Sequence, residues 1–226
     1  MKENVKLSWR ERLCYGSGQA GSVILNQLLA TFLLSYYTDT LLINAAAIST
    51  MFLVTRFLDG ITDFIVGALV DKTDTKFGKA RPWLLVDAFL MAIGVAMMFV
   101  GNASWSSGGK LLYAYVTYIF SNCIAYTIWG IAHGALLAKM TMNVDERTTL
   151  SSVGMFMNNV VVMVVGAIVA PMVMGLGWKT TSIILGIAAG VLVFFEFAGT
   201  KERVKVADVK QVEGKAAEVK RTKGSV

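Results

Sequence analysis

The chain has 226 residues, 55% hydrophobic and only 16% charged, with a mean hydropathy of +0.60 and a formal net charge of +6. A soluble globular domain rarely goes that apolar, so the composition excludes an ordinary cytosolic enzyme or binding module. Cys14 and Cys123 match no metal or redox spacing and read as buried apolar side chains.

Six stretches are long enough to cross a bilayer core, which takes about 20 residues. They run over 13–38, 44–70, 82–101, 111–138, 149–175 and 178–199. The expected fold is an all-α integral membrane protein with six transmembrane helices spanning 13–199. A cytoplasmic N-terminus, 1–12, precedes them and a basic, solvated tail, 200–226, follows. Lysine and arginine orient the spans. Lys2, Lys6, Arg10 and Arg12 precede the first; Lys72, Lys76, Lys79 and Arg81 follow the second; Lys139 and Arg147 stand between the fourth and fifth. The opposite connections carry only Lys110 and Lys179. The pattern predicts a multi-pass protein of the cell's inner membrane with both termini cytoplasmic. It also accounts for the basic charge as a topology signal and an attraction to anionic lipid. No stacking or recognition motif accompanies the lysines, so nucleic acid is not a predicted partner.

The second span interrupts its own apolar run with "RFLDGITDF", residues 56–64. Arg56, Asp59 and Asp63 fall at i, i+3 and i+7, on one helix face. Near the bilayer centre each charge costs roughly 2.5–3.5 kcal/mol, so three unpaired ones cost about 8–10 kcal/mol. That face must therefore look into protein or a wet cavity. Arg56 can neutralise Asp59 as a packing pair, which accounts for one carboxylate. The second is left over and invites a proton or a metal cation.

These residues belong to a longer set of motifs. "RFLDGITDFIVGALVDKTDTKFGKARPW" resembles the second helix and following loop of the glycoside–pentoside–hexuronide:cation symporters, the branch of the major facilitator superfamily that contains the melibiose permease. "YGSG" at 15–18, "TFLLSYYTD" at 31–39, "YTIWGIAHGALLAKMT" at 126–141, "DERTTLSS" at 145–152 and "GTKERV" at 199–204 are similar to further family signposts. Together they cover most of residues 8–206. The resemblance implies a bundle of two three-helix repeats, the first half of a twelve-helix transporter. It also implies secondary active symport of a sugar or glycoside with Na⁺, Li⁺ or H⁺, and no other cofactor. The implied ligands of that monovalent ion are Asp59, Asp63, Thr127 and, where relatives carry asparagine, Thr62. Arg56 matches an arginine of the same motif. Asp71, Lys79 and Arg81 read as a structural latch of the cytoplasmic loop.

The sugar-binding pattern departs from the family. Gln19, Val23, Gly130, Ala132 and Gly154 stand where relatives place charged, amide or proline residues. Glycine offers a sugar hydroxyl no side-chain hydrogen bond. The candidate replacements are Gln19, Asn26, Trp129, His133 and Asn158, with Gln27, Asn122 and Asn159 behind them. Asp87 and Glu196 are expected near the cytoplasmic surface, where a charge costs less. Gly186 and Gly190, a G-x-x-x-G, read as close helix packing.

The expected partners are membrane lipid, a small-molecule solute, and a second six-helix bundle supplied by a homodimer or a separately encoded chain. The alternative reading is a non-transporting membrane partner or remnant that binds a cation at most. No nucleophile–base pair, metal-ligand cluster or phosphate loop supports an enzyme.

Overall fold

The computed structural model describes residues 6–204. Most of the basic tail, and with it the reading of a solvated segment, lies outside the described residues. Within them the chain is helical and has no strand, only an isolated bridge between Thr75 and Gly78.

Helix α1, Trp9–Thr40, starts ahead of the apolar run because Ser8 and Glu11 form a capping box. The Ser8 hydroxyl accepts from the Glu11 amide at 3.3 Å, and the Glu11 carboxylate accepts from the Ser8 amide at 3.1 Å. Two π-helical turns, Leu28–Phe32 and Tyr36–Thr40, interrupt α1. Helix α2, Ala45–Lys72, is capped by Asn44, whose side-chain oxygen accepts from the Ala46 amide at 2.8 Å.

Helix α3, Arg81–Met97, carries Pro82 in its first turn and ends short of the predicted residue 101. Tyr113 causes the early stop. Its hydroxyl donates to the Met97 carbonyl at 2.5 Å and accepts from the Val100 and Gly101 amides at 2.9 and 3.0 Å. Helix α4, Ser107–Met140, is capped by Ser106 and contains a third π segment, Ile119–Tyr126.

The last helical run, α5, covers Val144–Gly199 and breaks at Gly177, where φ is +78° and only glycine sits without strain. Trp178 then stacks on Phe99 at 5.1 Å and meets Tyr36 edge-on at 5.4 Å, which ties three chain segments together at that end of the bundle. Among the described residues, three runs are long and apolar enough to cross a membrane by length and composition: α1, α4 and α5. Helix α3 has 17 residues, and α2 carries the three charges in its middle.

Helices α1 and α3 both pack along α5, while α2 packs on α4. Small residues let the backbones approach. A Cβ added at Gly186 would lie 2.5 Å from the Ala92 carbonyl oxygen, and one at Gly190 would lie 2.6 Å from that of Ala88. The G-x-x-x-G pair is thus spent inside the chain, on the α3–α5 seam. The outer surface is apolar, with Phe57, Phe64, Met163 and Met174 all exposed, as lipid-facing positions are.

Candidate functional site

Helix α2 presents Arg56, Asp59 and Asp63 to an open groove of about 840 Å³. The facing wall comes from α4, with Tyr118, Asn122 and Thr127, and Asn26 of α1 closes one side. Asn122 donates from its amide nitrogen to both oxygens of Asp59, at 2.9 and 3.0 Å. Thr127 donates its hydroxyl to Asp63 at 3.1 Å. Arg56 stands 3.9 Å from Asp59, but its side chain is 77% exposed against 19% for the carboxylate. A pair that loose contributes about 0–1 kcal/mol. The carboxylates are therefore oriented mainly by two neutral donors, and one negative charge is left on the groove wall.

The π segment explains how one helix serves both acids. Asp59 and Asp63 lie one turn apart on α2, about 5–6 Å between Cβ atoms. Their partners on α4 are five positions apart, which a regular helix at about 100° per residue would place on different faces. An i→i+5 turn over Ile119–Tyr126 widens the helix so that Asn122 and Thr127 share a face. The available oxygens are the two carboxylates, the Thr127 hydroxyl and the side-chain carbonyl of Asn122. That all-oxygen set, with net charge of about −1, fits a hard monovalent cation or a proton.

The other predicted residues sit elsewhere. Thr62 does not line the groove; its hydroxyl donates to the carbonyls of Leu58 and Asp59 on its own helix, at 3.0 and 2.9 Å. Gln19 donates to Asn158 across the α1–α5 seam at 3.4 Å, away from the groove. Trp129 and His133 are buried against Glu196, with Trp129 donating to it at 3.3 Å. Among the predicted solute contacts, Asn26 and Asn122 line the groove. Asp71, Lys79 and Arg81 lie on or beside the 73–80 connection, where the Lys79 ammonium donates to the Asp71 backbone carbonyl at 3.1 Å. The carboxylate at this connection belongs to Glu202, a residue the sequence reading did not single out. The Glu202 carboxylate accepts from the Lys79, Ala80 and Arg81 amides at 3.1, 2.8 and 3.1 Å, capping α3 from the far end of the chain. The Arg81 guanidinium reaches the Phe197 carbonyl at 2.9 Å. The expectation that Asp87 and Glu196 lie near the surface is corrected: both are fully buried, because the close α3–α5 packing seals them off.

Comparison with known proteins agrees with this architecture. The model of the MFS/sugar transport protein family matches residues 14–225. The chain belongs to that family, in the glycoside–pentoside–hexuronide symporter branch. It is 38% identical over 215 residues to the uncharacterized symporter YnaJ of Bacillus subtilis (strain 168), covering 90% of this chain and 46% of that protein. It is 32% identical to the isoprimeverose transporter of Lactiplantibacillus pentosus, covering 90% of this chain and 44% of the relative. It is also 32% identical to the glucuronide carrier protein homolog of Escherichia coli (strain K12), covering 89% and 45%. The chain thus spans a little under half the length of the curated relatives it matches. Membership makes it a multi-pass membrane protein, and those relatives are named as symporters, transporters and carriers rather than enzymes. Gly130 lies on the groove wall with no side chain to offer, and Gly154 has only the Gln19 stem near it.

Proposed function

We propose that this chain forms six membrane spans in two three-helix repeats, with α5 supplying two spans on either side of Gly177. In this reading it works as one bundle of a sugar or glycoside:cation symporter. Na⁺, Li⁺ or H⁺ binds between Asp59 and Asp63, neutralises the excess charge of the groove, and so favours solute binding beside it. The loaded site then switches sides as one bundle rocks against another. A second bundle, in a second copy of this chain or a separate polypeptide, closes the open side. The charge pattern of the connections supports an inner-membrane protein with both termini cytoplasmic.

The observation that carries the reading is the groove itself. Two carboxylates one turn apart are each held by a neutral donor, with only a loose guanidinium beside them. A packing role would have matched charge for charge. Asn26 and the aromatic rings of Tyr118 and Tyr126 supply polar and stacking contacts for a ring-shaped solute. The test is stabilisation of the purified protein against heat across a panel of cations and sugars. Asp59→Asn and Asp63→Asn should each abolish the cation-dependent rise in Tm. If both variants retain it, the cation lies elsewhere.

A further inference from the structure

The two carboxylates of the groove are held by donors of different kinds. Thr127 donates a hydroxyl to Asp63 at 3.1 Å. A hydroxyl oxygen keeps its acceptor lone pairs while it donates, so it serves a carboxylate and a cation from one position. The Asn122 side chain has its two capacities on opposite ends. Its amide nitrogen, a donor only, reaches both oxygens of Asp59, at 2.9 and 3.0 Å. An ionised carboxylate accepts hydrogen bonds and offers none, so Asp59 itself fixes which end of the amide faces it.

That nitrogen bridges the two Asp59 oxygens, and its hydrogens lie where a cation bridging the same oxygens would sit. An N–H group and a cation repel each other, so this setting of the amide and an ion on Asp59 exclude one another. The other end of the amide is open. Among the described residues Oδ1 of Asn122 accepts no hydrogen bond, yet it is not one of their buried, unpartnered atoms, and Asn122 lines the groove. The side-chain carbonyl therefore faces the groove. Tyr118 and Tyr126 line the same groove on either side of it along α4.

Half a turn about Cβ–Cγ exchanges the two ends. That torsion is broad and roughly two-fold in asparagine, so both settings are open to the side chain without a change at χ1. After the turn Oδ1 points at Asp59, where it is a hard oxygen ligand, and Nδ2 points into the groove. We propose that Asn122 is a reversible switch between ion and solute. It donates to Asp59 when no cation is there, and turns its carbonyl to the ion when Na⁺ binds, which replaces an acceptor on the groove wall by a donor. The switch rests on the cation reading of the groove given above and supplies its link to the solute. A solute oxygen that only accepts hydrogen bonds, a ring ether or a carboxylate, is repelled by the carbonyl and held by the amide. Ion binding thus favours such a solute without any movement of the backbone.

The test is solid-state NMR of the purified full chain in lipid, with ¹³C in the aspartate side-chain carboxyls and ¹⁵N in the asparagine side-chain amides. With choline chloride as the salt, one amide nitrogen should couple strongly to a carboxylate carbon. Asp59→Asn should remove that coupling, which assigns it to the Asn122–Asp59 contact. Replacing choline by saturating Na⁺ should abolish the coupling in the unsubstituted protein, over the same concentrations at which Na⁺ raises the Tm. A coupling that persists in Na⁺ while the Tm still rises overturns the switch and leaves the cation site standing. Absence of the coupling in choline chloride overturns it as well. If neither Tm nor coupling responds to Na⁺, Li⁺ or a lowered pH, the cation reading of the groove fails and the switch falls with it.

Discussion

Replacing Asn122 with alanine removes both contacts to the Asp59 carboxylate, at 2.9 and 3.0 Å, and leaves only the exposed Arg56 beside it. A hydrogen bond to a charged group contributes about 1.5–3 kcal/mol. Loss of a partner that orients an ion's ligand typically weakens binding about 10–100-fold, or roughly 1.4–2.8 kcal/mol, so the two scales agree. The assay is a Na⁺ titration of thermal unfolding with purified protein. At an ion concentration of about 100 Kd, the wild type gains about 2.7 kcal/mol from the bound ion. At the same concentration Asn122→Ala should gain only about 0.4–1.4 kcal/mol by the same relation. Asn159→Ala, at an exposed position outside the groove, serves as the control. If Asn122→Ala keeps the full wild-type gain, Asp59 does not depend on that amide and the groove geometry is not what holds the ion.

Three other substitutions probe separate links. Thr62→Val should change Na⁺ affinity less than about twofold, because the hydroxyl donates only to its own helix; Thr127→Val, which loses the 3.1 Å bond to Asp63, should cost about tenfold in the same titration. Gly190→Leu drives a side chain into the Ala88 carbonyl and should destabilise the bundle by at least about 1–3 kcal/mol, read as a lower Tm without ligand. Glu202→Ala strips the cap from three backbone amides at the start of α3 and should cost about 1–2 kcal/mol, again visible in Tm, while leaving the Na⁺-dependent increment intact.

Local rules made a good part of this molecule legible in its residues. Hydrophobic length marks the helical runs, since any segment entering lipid must satisfy its own backbone. The i, i+3, i+7 spacing puts Arg56, Asp59 and Asp63 on one face whatever surrounds them, and the motifs identify the symporter family. Gly186 and Gly190 read correctly as a close-packing seam.

What tertiary structure alone decided is which groups meet. Asn122 and Thr127 face one groove only because a π turn rotates α4, and no spacing rule for a regular helix anticipates that. Thr62 looked like an ion ligand by position, yet a helical threonine finds its own backbone carbonyls nearer than any partner. Asp87 and Glu196 looked superficial from their places near helix ends. Their burial follows from how closely glycines let α3 and α5 approach, a property of two segments about a hundred residues apart that neither segment shows by itself.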